Sequence, residues 1–309
     1  MPSALPALSN RQLTTGLLLA AAGSVAFSGK AIIAKLAYRH GVDAVTLIMY
    51  RMLFALPLFV AIVWWATYRS RPHGQPVQPL TRRDWWGLFG LGFSGYYLAS
   101  FLDFWGLQYI SASLERLILY LNPTLVLLLG WVLYKRRITV RQVSAMALSY
   151  TGVLIVFGHE LQLDGWGSVL GSALVFGSAM SYAVYLVYSG EMVQRLGSLR
   201  LVGWATTIAC GLCLLQFVML RPLSAAVVAP EVIWLSIINA VFCTVAPVLM
   251  VMMAVERIGS GLAAQTGMVG PMSTILLGVW ILGEPFNATV LAGTVLVLAG
   301  VLWVSRQRT

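Results

Sequence analysis

Four ionisable residues stand inside stretches of sequence that are otherwise apolar: Lys30, Arg51, Asp103 and Glu115. A charge in hydrocarbon is costly, so such residues normally face a polar cavity or a partner. Two chemistries fit them. In the first they ring an outward-facing cavity, where Asp103 or Glu115 receives an amino group or a proton and Lys30 or Arg51 meets a carboxylate. A zwitterionic small molecule would satisfy both signs. In the second they are structural ion pairs that lock helices together, with Lys35 and Arg116 snorkelling to the membrane surface. Tyr97, Phe101 and Phe104 recur at i, i+4 and i+7, so they share one helix face. With Tyr120, Asn122 and Tyr182 they are candidate wall residues, apolar in bulk and carrying hydroxyl and amide groups that orient a ligand. Pro123 and Pro271 each remove a backbone hydrogen bond within an apolar run and free a carbonyl. Both read as candidate hinges or as packing kinks, with Asn122 and Gly270 exposing backbone beside them.

Other chemistries lack their residues. His40, His73 and His159 fall in connections, without an HExxH pattern, a paired-carboxylate arrangement or a glycine-rich phosphate loop, so no metal, cofactor or catalytic centre is expected. Cys210 and Cys213 have CxxC spacing but no βαβ surroundings, and with Cys243 they read as lipid-buried packing residues.

The elements that position these residues follow from hydropathy. Of 309 residues, 59% are hydrophobic and 10% charged, against about a quarter charged in soluble domains. The mean hydropathy is +0.84. A span needs about 20 apolar residues to cross hydrocarbon about 30 Å thick. The chain therefore has room for ten spans, predicted near 13–36, 44–67, 85–107, 111–133, 140–157, 166–188, 199–220, 231–254, 260–282 and 288–305. The weak break from Gly106 to Ser111 rests on its turn-forming residues. The fold class is thus an all-α integral membrane protein, with membrane lipid as its main solvent. The net charge of +10 does not indicate nucleic acid, because the basic residues sit in short loops rather than on one solvated face.

Positive residues near span ends are retained in the cytoplasm. With the amino terminus inside, the inner connections hold Arg11, Arg69, Arg71, Arg82, Arg83, Lys135, Arg136, Arg137, Arg141, Arg195, Arg200, Arg257, Arg306 and Arg308. The outer side keeps Lys35, Arg39, Arg116 and Arg221, with Asp43, Glu160, Asp164, Glu231 and Glu284 near it. Both termini are expected in the cytoplasm of a bacterial-type inner membrane. Trp64, Trp65, Trp85 and Trp86 read as interface anchors.

An offset of 148 aligns residues 105–157 on 253–305 without a gap: Ile110 on Ile258, Pro123 on Pro271, Gly130 on Gly278 and Gly152 on Gly300. The chain then divides into 1–158 and 166–309, each with five spans. An odd number of spans makes the second copy enter from the opposite side, so the repeat is inverted. Inverted repeats underlie many alternating-access carriers, with the site at the interface between the copies. The basic "YKRRIT" of the first copy faces the uncharged-to-acidic "GEPFNA" of the second.

These paired segments, "WGLQYISASLERLILYLNPTLVLLLGWVLY" with "VSAMALSYTGVLIV" and "AVERIGSGLAAQTGMVGPMSTILLGVWILGEPF" with "AGTVLVLAGVLWV", resemble the EamA-type branch of the drug/metabolite transporter superfamily. The resemblance implies ten helices in inverted five-helix halves and the movement of small metabolites, often amino acids, outward. One departure stands out: only the second half keeps Gly283-Glu284-Pro285, whereas the first carries Lys135, Arg136 and Arg137. The expectation is a secondary exporter of small organic metabolites, with proton coupling through Glu115 or Asp103 open. Related branches handle phosphorylated or nucleotide-linked sugars, which Lys30 and Arg51 would suit. A membrane enzyme or sensor is the remaining class, disfavoured by the missing catalytic set.

Overall fold

The computed structural model describes residues 10–68, 79–135, 138–267 and 269–306. Arg69, Arg71, His73, Arg136, Arg137 and Arg308 lie outside the described residues. The helices run α1 (Asn10–Tyr38), α2 (Ala44–Tyr68), α3 (Arg82–Gly92), α4 (Ala99–Gly106), α5 (Ala112–Leu119), α6 (Asn122–Tyr134) and α7 (Val140–Asp164). They continue as α8 (Trp166–Leu196), α9 (Ser198–Leu220), α10 (Pro230–Ala240), α11 (Ala246–Thr266), α12 (Val269–Leu277) and α13 (Ala288–Arg306). No strand occurs among the described residues.

Local chemistry sets these limits. Thr81 with Asp84 starts α3 and Thr139 with Gln142 starts α7, each through a reciprocal capping box. Gly165 and Gly197, at φ 57° and 79°, let α8 abut both neighbours without a longer loop. Among the described residues, seven helices are long and apolar enough to cross a membrane, whereas Val269–Leu282 and Ala288–Trp303 are shorter. Trp86, Val132 and Trp280 are mostly exposed on these helices. Apolar surface turned outward along helices of this length is a lipid-facing surface, and the protein is a multi-pass membrane protein.

The helices pack in reciprocal pairs: α1 on α11 and α12, α8 on α4 and on α5 and α6, α2 on α9, and α7 on α13. Glycines allow the close approach. A side chain at Gly16 would meet Ile258, one at Gly171 would meet Ile110, and Gly152 and Gly293 bring α7 and α13 together. Helical bonding continues through 255–259, expected as a connection, because α11 runs to Thr266. The chain nonetheless turns back there. Gly23 faces Val251 and Gly16 faces Ile258, but Gly267 returns to Ser24.

Three stretches are π-helical: Phe93–Leu98 joins α3 to α4, Val241–Val245 joins α10 to α11, and Gly278–Leu282 extends α12. The 148-residue offset read from sequence carries Phe93 onto Val241, so the first two coincide in register. π-Bulges of this kind are frequent at functional sites.

The connections gather at two ends. Arg195 pairs with Asp84 at the end where α1 begins. At the other end Arg221 lies 3.1 Å from Asp43, and Arg39 donates to the Leu282 carbonyl at 2.8 Å. Glu284 binds the start of α5, while Lys135 follows the last residue of α6. The two lie at opposite ends of the 23-residue helical run Ala112–Tyr134.

Candidate functional site

Pro123 lacks the N–H that would bond the Leu119 carbonyl one turn back. Asn122 replaces it, donating Nδ2 to that carbonyl at 2.7 Å. Gly270 takes the place of Asn122 beside Pro271, so no local side chain can do the same. The Gly267 carbonyl accepts from the Gly270 N–H at 3.0 Å and, across the bundle, from Ser24 Oγ on α1 at 2.5 Å and Tyr120 Oη at 3.1 Å. The two prolines thus mark the middle of the bundle and tie it together differently on each side.

Around this middle lies a cavity of about 410 Å³. Lys30, Arg51, Asp103, Tyr120, Asn122 and Tyr182 line it. The structure brings these six sequence candidates together. Glu115 is fully buried behind them, reached through Lys30. Tyr97 and Phe101 are placed elsewhere: Tyr97 packs on Phe93 and Phe101 on Trp105, both outside the cavity lining. The cavity face of this span is Tyr96, Ser100 and Asp103, an i, i+4, i+7 set one residue earlier. A step of one residue turns an α-helix by about 100°. The polar content of that earlier stripe was the available signal.

The charges alternate along a chain. Lys30 pairs with Asp103, and its Nζ stands 3.8 Å from Glu115 Oε1. Arg116 Nε lies 3.9 Å from Glu115 Oε2. Arg51 Nε donates to Thr244 Oγ1 at 2.9 Å, which in turn donates to the Asn239 carbonyl. The Phe104 ring lies beneath both cations, 4.9 Å from the Arg51 guanidinium and 5.8 Å from Lys30, within cation–π reach.

Several buried polar atoms here have no hydrogen-bond partner: Arg51 Nη1, Asp103 Oδ1, both Glu115 oxygens and Asn122 Oδ1. Arg51 and Asp103 are 6% and 2% exposed. Buried groups are normally paired, and unpaired ones of both signs at a cavity are where a ligand would bind. Arg116 lines the cavity rather than snorkelling, because its guanidinium turns inward to Glu115 and the Phe27 carbonyl. Sequence reasoning also passed over Thr244, which lies in the π-helical stretch Val241–Val245 and accepts from Arg51.

The cavity runs from this charged layer toward Val202 and Met252, near the start of α9 and the end where α1 begins. Buried Phe104 and Leu107 close the opposite side. The cavity therefore extends toward the end where α1 begins rather than the end where α5 begins. Charge counting locates Lys30 in depth but does not say which end is packed shut. The cysteines are also corrected, since Cys210, Cys213 and Cys243 are buried within protein, Cys210 with its sulfur 3.7 Å from that of Met52. His159 lies on α7 and bonds Asn287 rather than standing in a loop. Among the described residues no cluster of His, Cys, Asp or Glu has metal-binding geometry.

Among the described residues all five charged groups come from before residue 158, whereas α8, α9, the π-helical stretch Val241–Val245 and α11 contribute uncharged Tyr182, Thr206, Thr244 and Met252.

Residues 14–158 and 169–306 each match the EamA-like transporter family. The chain is 30% identical over 287 residues to a Bacillus subtilis (strain 168) protein named uncharacterized transporter YcbK, covering 89% of this chain and 87% of the relative. A protein of Archaeoglobus fulgidus named uncharacterized transporter is 24% identical over 92% of this chain and 95% of its own. An uncharacterized inner membrane transporter, YicL, of Salmonella typhimurium (strain LT2) is 25% identical over 84% of each. In backbone the chain is similar to a solved crystal structure, with TM-score 0.63, 17% identity, and coverage of 96% and 99% of the two chains.

Proposed function

This chain belongs to the EamA-like transporter family, and from that premise we propose that it is a secondary exporter of zwitterionic small metabolites such as amino acids. The observation that carries the reading is the pair of buried, unpartnered groups of opposite sign at one cavity, Arg51 Nη1 and Asp103 Oδ1. Arg51 meets the substrate carboxylate through Nη1, the donor left without a partner, in a charge-assisted hydrogen bond. Asp103 shares its carboxylate between Lys30 and the substrate ammonium. Tyr182 and Asn122 orient the remainder of the molecule.

Transport proceeds by alternating access between two inverted five-helix halves, in ten spans with both termini cytoplasmic. Support comes from the reciprocal packing. Ile110 and Ile258, partners in the repeat, each pack against a glycine of the other half, Gly171 and Gly16. The coincident π-helical stretches at Phe93 and Val241 support the same symmetry. Pro123 and Pro271 are the hinges. Glu115, buried beneath Lys30 without a hydrogen bond of its own, is the candidate proton-coupling group.

One observation favours a second reading. Arg116 joins Lys30 and Arg51 at the cavity, and three converging cations suit a phosphorylated or nucleotide-linked sugar. Liposomes containing only this protein, preloaded with labelled metabolites on either side, separate the readings. Efflux of amino acids with no movement of sugar phosphates is the expected result. Absence of flux for both classes would overturn transport by this chain alone.

A further inference from the structure

The start of α5 is one of three places where the two halves meet by charge among the described residues, beside Arg195 with Asp84 and Arg221 with Asp43. A helix leaves its first backbone N–H groups without internal partners and carries partial positive charge there. In α5 each of these groups is accounted for. Ser111 Oγ accepts from Leu114 N at 3.0 Å, and the Ser111 N–H donates to Glu160 on α7 at 3.2 Å. The two N–H groups between them go to a residue of the other half. Ala112 N donates to Glu284 Oε1 at 2.7 Å, and Ser113 donates both N–H and Oγ to Oε2, at 3.2 and 2.7 Å.

The geometry around Glu284 is specific. Gly283 takes the left-handed turn, φ 73°, that ends the π-helical stretch and swings the carboxylate back over Gly278. A Cβ at Gly278 would lie 2.9 Å from Glu284 Oε2, so a glycine there is what lets the carboxylate reach α5. By the 148-residue offset, Glu284 corresponds to Arg136, so the first half has no carboxylate to offer the equivalent turn of the second. Among the described residues the carboxylate contact is made by Glu284 of the second half.

We propose that Glu284 is a latch: its carboxylate, capping α5 from the other half, holds shut the end of the bundle opposite the start of α1 and so biases the carrier toward the state with its cavity open at the α1 end. The proposal rests on the alternating-access reading above. Opening the α5 end separates α5 from the end of the α12 run and breaks all three bonds to Glu284, while opening the other end leaves them intact. The occluding layer behind the latch includes Phe104 and Leu107, both fully buried.

The test reads side-specific accessibility and needs no substrate. In full-length protein with Cys210, Cys213 and Cys243 replaced by alanine, Leu107→Cys reports the closed end and Val248→Cys reports the cavity. Each is labelled with a membrane-impermeant maleimide from either face of sealed vesicles. Glu284→Ala is expected to speed labelling at position 107 about fivefold or more and to slow labelling at 248 from the opposite face, as a population shift requires. Gly278→Ala, which keeps the carboxylate but displaces it, is expected to do the same if Glu284→Ala does not insert. General loosening would speed both positions together, and that result, or unchanged rates at both, would overturn the latch. If reconstituted wild-type protein moves no metabolite, the transport reading fails while the labelling result still decides the latch.

Discussion

Replacing Lys30 with Met removes the cation at the centre of the charged chain and leaves its shape almost unchanged. The gross loss is large. Unit charges 3.8 Å apart, as Lys30 Nζ and Glu115 Oε1 are, attract by about 4 kcal/mol at an effective dielectric constant near 20. Removing the desolvation of Lys30 itself offsets part of this, but Asp103, 2% exposed, is left without its ion-pair partner. Breaking one side of a buried pair costs about 3–5 kcal/mol. For a chain of this size that corresponds to a fall in unfolding midpoint of roughly 5–10 °C, read by tryptophan fluorescence in detergent. Lys30→Met/Asp103→Asn removes both charges and is expected to recover more than half of the loss, because an amide strands no charge. Metabolite flux in liposomes should stay abolished in both variants, since the substrate ammonium has lost its carboxylate or that carboxylate has lost its placement. A Lys30→Met protein with an unchanged midpoint, or a double variant no more stable than the single, would refute the ion-pair reasoning. Full flux in Lys30→Met would remove Lys30 from the site.

Arg51→Lys keeps the charge but loses the Nε donor to Thr244 and the free Nη1. KM for amino acids should rise about tenfold to a hundredfold, equivalent to about 1.4–2.8 kcal/mol, while competition by the decarboxylated amines changes little; equal changes for both would exclude Arg51 as the carboxylate partner. Glu115→Gln is expected to uncouple flux from an imposed pH gradient while exchange continues, and retained full gradient dependence would exclude Glu115 as the coupling group. Asp43 lies between α1 and α2, outside the spans. Burial pushes its carboxyl up, but hydrogen bonds from Thr46, with Arg221 and the Val45 N–H nearby, hold it below its ordinary value. The stability it contributes is present above about pH 4, the unfolded carboxyl value, and is lost as pH falls through the lower folded one. Asp43→Asn should cost about 1 kcal/mol at neutral pH, in keeping with a half-exposed cap and pair, with the gap to wild type closing in thermal melts below about pH 4.

The limits of most spans were legible because the hydrocarbon thickness imposes one length scale, and the inward-pointing charges were legible because lipid makes them costly anywhere else. Rotation about the helix axis was harder to read. Tyr97 and Phe101 form as regular an apolar stripe as any, yet the cavity takes Tyr96, Ser100 and Asp103, one residue earlier on the same span. Arg116 was read as a surface residue from its nearness to a span end. Only the fold reveals that the span begins beneath Glu160 and Glu284, which turns its first helical turn toward the centre. Asn122 was legible as a candidate without its reason, that it repairs the bond Pro123 removes.

The confinement of the described charges at the cavity to the first half has a use at the bench. On the proposed zwitterion reading, head-group and side-chain recognition fall to separable stretches of one polypeptide, and a chimera that keeps residues 1–158 and takes its second half from a relative should retain the charged groups while exchanging the neutral wall formed by Tyr182, Thr206 and Met252. Libraries aimed at new cargoes belong in α8, α9 and α11, where a change alters volume and hydrogen bonding without stranding an ion in the bilayer.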